Sequence, residues 1–129
     1  MRIDTMSDGS VGLLFTPADP TTITSAFTTG GRQFKIAGFW SVASITESVT
    51  LNIYDEPANG VGSQANKKGG LVLGPDQVIT APPIIGIPII YGITYTLSGA
   101  LSDNFMILLV PFIALGPYTV PVPTLPSGR

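Results

Sequence analysis

The chain has no cysteine and no histidine, and only 11% of its 129 residues are charged. Each shortage excludes something. Without cysteine there is no disulfide framework, no zinc–thiolate site and no thiol nucleophile. Without histidine, Ser-His-Asp and Cys-His arrangements and imidazole metal sites are also excluded. The shortage of charge, against about 25% in an ordinary soluble domain, is uneven: between residues 77 and 128 the only charged side chain is Asp103. A monomer normally keeps its surface hydrated with interspersed charges. Two readings follow: the charge-poor surface is covered by subunits or partners, or it is kept soluble by Thr and Ser hydroxyls.

Other classes lose support in the same way. Net charge is −2, and Lys67-Lys68 is the one basic cluster, which leaves little to neutralise nucleic-acid phosphates. Lys67-Lys68-Gly69-Gly70 lacks the arrangement of a phosphate-cradling loop. Polar residues follow Met1-Arg2-Ile3-Asp4 where a leader would carry an apolar run. The greasiest stretches, 84–97 and 105–115, fall short of the roughly 20 apolar residues of a membrane-spanning helix and are broken by Pro and Gly. No direct nucleic-acid or membrane partner is expected.

What the chain does have is alternation. Residues 11–15 form a short apolar run closed by Pro17 and Pro20. In 33–42 the period of two places Phe34, Ile36, Gly38, Trp40 and Val42 on one face, with Lys35, Ala37 and Phe39 on the other. In 48–54, Val49, Leu51 and Ile53 point inward. Residues 71–73 and 77–80 are short strands around Gly74-Pro75. Residues 87–97 alternate most cleanly, with Ile87, Ile89, Tyr91, Ile93, Tyr95 and Leu97 on one face. The run 105–110 is apolar on both faces, which suits a central strand or one covered outside by a neighbour. No window carries a helical period, and 12 prolines and 15 glycines punctuate the chain. The expectation is all-β: a single antiparallel β-sandwich or jelly roll of seven to eight short strands. Its parts are an N-terminal arm at 1–10, a sandwich domain at 11–110 and an extended Pro-rich arm at 111–129. That last arm spans roughly 55 Å in polyproline geometry. Either a neighbour grips its apolar residues or it folds back on its own domain.

No catalytic residue, cofactor or metal is expected. Asp55 and Glu56 are adjacent, so on a strand they point to opposite faces and make a poor carboxylate pair. Asp55, Glu56 and Asn59 offer oxygens to calcium without the regular ligand spacing, and such residues are ordinary turn formers. For sugar stacking, Trp40, Tyr91 and Tyr95 fall on faces assigned to the core, which leaves Phe39 and Tyr54.

Three segments carry a resemblance: Phe34-Lys35-Ile36-Ala37-Gly38-Phe39-Trp40, Ser48-Val49-Thr50-Leu51-Asn52-Ile53-Tyr54-Asp55, and Gly92-Ile93-Thr94-Tyr95-Thr96-Leu97-Ser98-Gly99-Ala100. Together the chain resembles small β-sandwich structural proteins of tailed bacteriophage particles, over about half its length. The insertion at 43–47, the 55–70 loop and the tail depart from that pattern. The resemblance implies a virion protein made in the host cytoplasm, most simply a capsid decoration (cement) protein. It also implies a homo-oligomer, a trimer, that contacts other virion proteins such as the major capsid protein. The contact residues expected on that reading are Phe105, Ile107, Leu109, Tyr118, Val120, Val122 and Leu125. The alternative is a carbohydrate- or receptor-binding module of a tail or fibre.

Overall fold

The computed structural model describes residues 1–41, 47–74, 77–81 and 84–112. Among them run ten strands: β1 (Arg2–Thr5), β2 (Val11–Phe15), β3 (Thr24–Thr28), β4 (Phe34–Ser41), β5 (Val49–Asp55), β6 (Lys67–Gly74), β7 (Gln77–Ala81), β8 (Pro88–Ile89), β9 (Gly92–Leu97) and β10 (Phe105–Pro111). They form two antiparallel sheets. Sheet A has the order β1-β2-β10-β4-β8 and sheet B the order β3-β9-β5-β6-β7. Setting aside β1 and β7, the ladder β2-β10-β4-β8 is joined by crossing connections to β3-β9-β5-β6. This is the double Greek-key wiring of a jelly roll. The expected β-sandwich is the observed fold.

The core lies between the sheets and is made by alternate residues, as the period of two requires. Leu13, Phe15, Ile36, Phe105, Ile107 and Leu109 come from sheet A, and Leu51, Ile53, Leu71, Leu73, Ile93 and Tyr95 from sheet B; all are fully buried. Each such aliphatic or aromatic side chain contributes roughly 1.5–3 kcal/mol relative to exposure. Phe15 meets Tyr95 edge-on across the layers, with ring centroids 4.9 Å apart. Burial, and then the negative charge of Asp19, raise the pKa of the Tyr95 hydroxyl.

Three expectations need correction. The first ten residues are not an irregular arm: residues 2–5 pair with 11–14 as a hairpin. Its turn is closed by the Asp8 carboxylate, which accepts the Ser10 N–H at 2.9 Å; that bond lowers the Asp8 pKa. The long loop ends sooner than expected, because Lys67 and Lys68 already belong to β6. Residues 87–97 are not one strand. β8 pairs with β4 in sheet A and β9 with β3 and β5 in sheet B, so the chain crosses between layers at Ile90-Tyr91-Gly92. Both Ile89 and Ile93 remain fully buried, one in each sheet, while Tyr91 is 59% exposed at the bend. Alternation continues through such a corner because both sheets face the same core.

The corner needs glycine. Gly92 has φ +152°, and a Cβ there would lie 2.4 Å from the Phe27 carbonyl oxygen and 2.7 Å from that of Glu56.

Candidate functional site

β10 is the central strand of sheet A, flanked by β2 and β4. Its inward residues Phe105, Ile107 and Leu109 are 0% exposed. These three were expected to contact partners, but they are part of the core, because odd positions face sheet B. Tyr118, Val120, Val122 and Leu125 lie outside the described residues. The side chains that β10 turns outward are Met106, Leu108 and Val110, each half-buried.

Their neighbours extend the same character. Met106 stands opposite Leu14 on one side and Trp40 on the other, and Leu108 opposite Gly12 and Gly38. β1 adds Arg2 beside Leu14 and Asp4 beside Gly12. Gly12 leaves room for two methionines: a Cβ there would lie 3.2 Å from Met106 Sδ and 3.6 Å from Met6 Cε. Gly38 has open space where a side chain would stand. The outer face of sheet A is therefore an apolar ledge of Met106, Trp40, Leu108 and Val110, set beside the buried Leu14. Arg2, Asp4 and Lys35 supply charge at its margins. Methionine and an exposed indole suit such a surface to docking, since both adapt to a partner while burying large area.

Trp40 reaches this face through an irregularity. Leu109 is opposite Ile36 while Leu108 is opposite Gly38, so Ala37 is an extra residue in β4. A bulge of one residue reverses the in–out parity beyond it. Phe39 consequently turns inward and stacks on Phe105 at 6.0 Å. Trp40 turns outward and is 60% exposed. The simple alternation had assigned both residues the other way. The small pair Ala37-Gly38 inside a strand is the one signal that marks the bulge in advance.

The outer face of sheet B is chemically different. Thr50, Asn52, Thr94 and Thr96 occupy it, and the Asn52 amide donates to Thr96 Oγ1 at 3.3 Å. Tyr54, expected as an exposed stacking residue, is buried. With Phe39 also turned inward, the expected sugar-binding pair is not on the surface.

Asp55 and Glu56, weighed as metal ligands, are buried and committed to the backbone. Asp55 Oδ1 accepts the Tyr91 N–H at 2.9 Å and the Gly92 N–H at 3.3 Å, and its Oδ2 the Ile90 N–H at 3.0 Å. It thereby holds the crossover corner. Glu56 accepts the N–H groups of Gly62 and Ser63 at 2.8 Å each, the Asn66 amide at 3.2 Å and the Thr94 hydroxyl at 2.6 Å. Burial opposes its charged form, but these donors, the Thr94 hydroxyl foremost, prevail and lower its pKa to about 2. Asn59 is an exposed turn residue. The pair anchors loops. Comparison with family models, with curated proteins and with solved structures returns no match to this chain.

Proposed function

We propose that this chain is a non-enzymatic structural protein of a virus particle: a decoration or cement subunit that stabilises a bacteriophage head. On this reading it contacts copies of itself and a shell protein such as the major capsid protein. The observation that carries the reading is the outer face of sheet A. A protein of this size with few charges presents Trp40, Met106, Leu108 and Val110 on one sheet face, which is the kind of surface that marks a protein–protein contact. The jelly-roll wiring is compatible with it, since viral coat proteins and lectins share that architecture, but fold alone assigns no function. Antibody raised against the purified chain tests the reading by immunogold microscopy of particles from the source culture. Gold on intact heads supports it, and particles without label overturn it.

One observation favours a second reading, a carbohydrate- or receptor-binding module of a tail or fibre. Trp40 stands exposed beside the open space at Gly38, where a sugar ring can stack on the indole. Glycan-array binding that disappears in Trp40→Ala supports this alternative.

A further inference from the structure

Of the four sheet edges, β1 is the one best shaped to take another strand. β3 is bulged between Ser25 and Phe27, and β8 is two residues long and contains Pro88. Bulges, shortness and proline are devices that blunt an edge. The side chains of β7 lie outside the described residues. Among the described residues β1 pairs with β2 alone, and Arg2, Ile3 and Thr5 are exposed.

The ladder phase shows which backbone groups of β1 are unpaired. Met6 N–H donates to the Ser10 carbonyl at 2.8 Å, and this pair continues the register Thr5↔Val11, Asp4↔Gly12, Ile3↔Leu13, Arg2↔Leu14. Bonded and non-bonded pairs alternate along an antiparallel ladder. Arg2 and Asp4 therefore turn their N–H and C=O groups toward β2, and Ile3 and Thr5 turn theirs to the open edge. The side chains alternate as well. Arg2 and Asp4 stand on the outer face, and Arg2 Nε donates to the Asp4 carboxylate at 3.1 Å. Ile3 stands on the core side, yet it is 46% exposed, and among the described residues no strand lies beyond it.

We propose that β1 is a two-fold docking edge, pairing antiparallel with β1 of a second copy in the register that sets Ile3 opposite Ile3. Charge complementarity selects this occupant and this register. With Ile3 on the two-fold axis, Arg2 of each copy faces Asp4 of the other, so four charges form a checkerboard of opposite neighbours. Such directly opposed pairs stabilise a ladder, and like charges in the same places oppose it. The two Ile3 residues exchange both N–H···O bonds, and their side chains meet on the core side, continuing the apolar layer. Sheet A becomes a ten-stranded sheet across the dimer, with the two apolar ledges on one continuous face. The contact is isologous and closes at two copies, where the phage resemblance implies three. It does not rest on a place in a virus particle.

The test is light scattering of the full chain over a dilution series. The wild type is expected at twice the 13.4 kDa chain mass. Arg2→Asp sets Asp against Asp, and Asp4→Arg sets Arg against Arg. Each variant alone is expected to dissociate at least about tenfold more readily. Mixed in equal amounts, the two variants restore opposite charges in both cross-strand pairs and are expected to form a heterodimer. Circular dichroism identical to wild type shows that both are folded, since neither side chain is in the core. Ile3→Pro, which removes an edge donor and leaves the β1–β2 ladder intact, is expected to give monomer. The proposal is overturned by a monomeric or trimeric wild type, by dimers unaffected in the single variants, or by a mixture that stays monomeric.

Discussion

The two sheets of this sandwich share one core but present different chemistry to the outside. Sheet B offers Thr50, Asn52 and Thr96, with the half-buried Val72 opposite Thr50; the Asn52 amide donates to Thr96, and the buried Thr94 hydroxyl to Glu56. Sheet A offers Met106, Trp40, Leu108 and Val110, with charge only at its margins. The charge-poor composition thus has two solutions in one molecule. One face carries hydroxyls and an amide, and the other is left apolar. Composition alone conceals this division, and only the strand order separates the two.

The largest effect is expected where both faces depend on one residue. Gly92→Ala places a Cβ against two carbonyl oxygens at a backbone angle that side chains rarely adopt. A loss of about 3–5 kcal/mol is expected, measured by urea unfolding, with both sheets melting together. A smaller loss in one sheet only would show that the sheets are less coupled than their shared corner implies.

Next comes the polar side. Glu56→Gln replaces a carboxylate that accepts four hydrogen bonds, and a loss of about 2–3 kcal/mol is expected. The pH dependence has a definite sign. The folded pKa of Glu56, about 2, is below the ordinary glutamate value of 4.5. Its contribution is therefore complete above about pH 4.5 and is lost as the pH falls toward 2. Urea midpoints measured from pH 5 to pH 2 should decline in the wild type and decline less steeply in Glu56→Gln.

The apolar side should respond differently. Trp40→Thr with Leu108→Thr makes sheet A resemble sheet B. Stability is expected to change by under about 1 kcal/mol, because both side chains face outward. Retention on a hydrophobic-interaction column should fall clearly. Smallest of all, Thr96→Val removes one acceptor on sheet B at a cost of about 0.5–1 kcal/mol, with retention rising slightly.

Much of this architecture was legible because alternation reports a half-buried strand directly. Val11 to Phe15, the run through Leu51 and Ile53, and the doubly apolar β10 were all identifiable, and with them the sandwich. The failures share one physical cause: alternation carries parity but not geometry. A single bulged residue, Ala37, exchanged the roles of Phe39 and Trp40 and so concealed the most exposed aromatic of the apolar ledge. The bend at Ile90-Tyr91-Gly92 kept the phase of Ile89 and Ile93 while moving the chain to another sheet, and it exposed Tyr91. β1 was missed because four residues with two charges lack an apolar pattern, and only pairing with β2 reveals them. The contact residues expected on β10, Phe105, Ile107 and Leu109, are the ones that it turns into the core. Nothing local states which side of a doubly apolar strand faces the core.

The placement of β10 has a consequence for synthesis. Sheet A is completed in its middle by a strand that begins at residue 105, while both of its flanking strands lie before residue 42. On the ribosome β2 and β4 must wait for it. At about 5–20 residues per second, the interval between Ser41, where β4 ends, and Phe105 lasts roughly 3–13 seconds. Throughout that time the growing chain carries two unfilled strand edges separated by a vacant slot. The nascent polypeptide is thus most vulnerable to mispairing with its neighbours on a polysome, and the emergence of β10 ends that vulnerability by filling the slot.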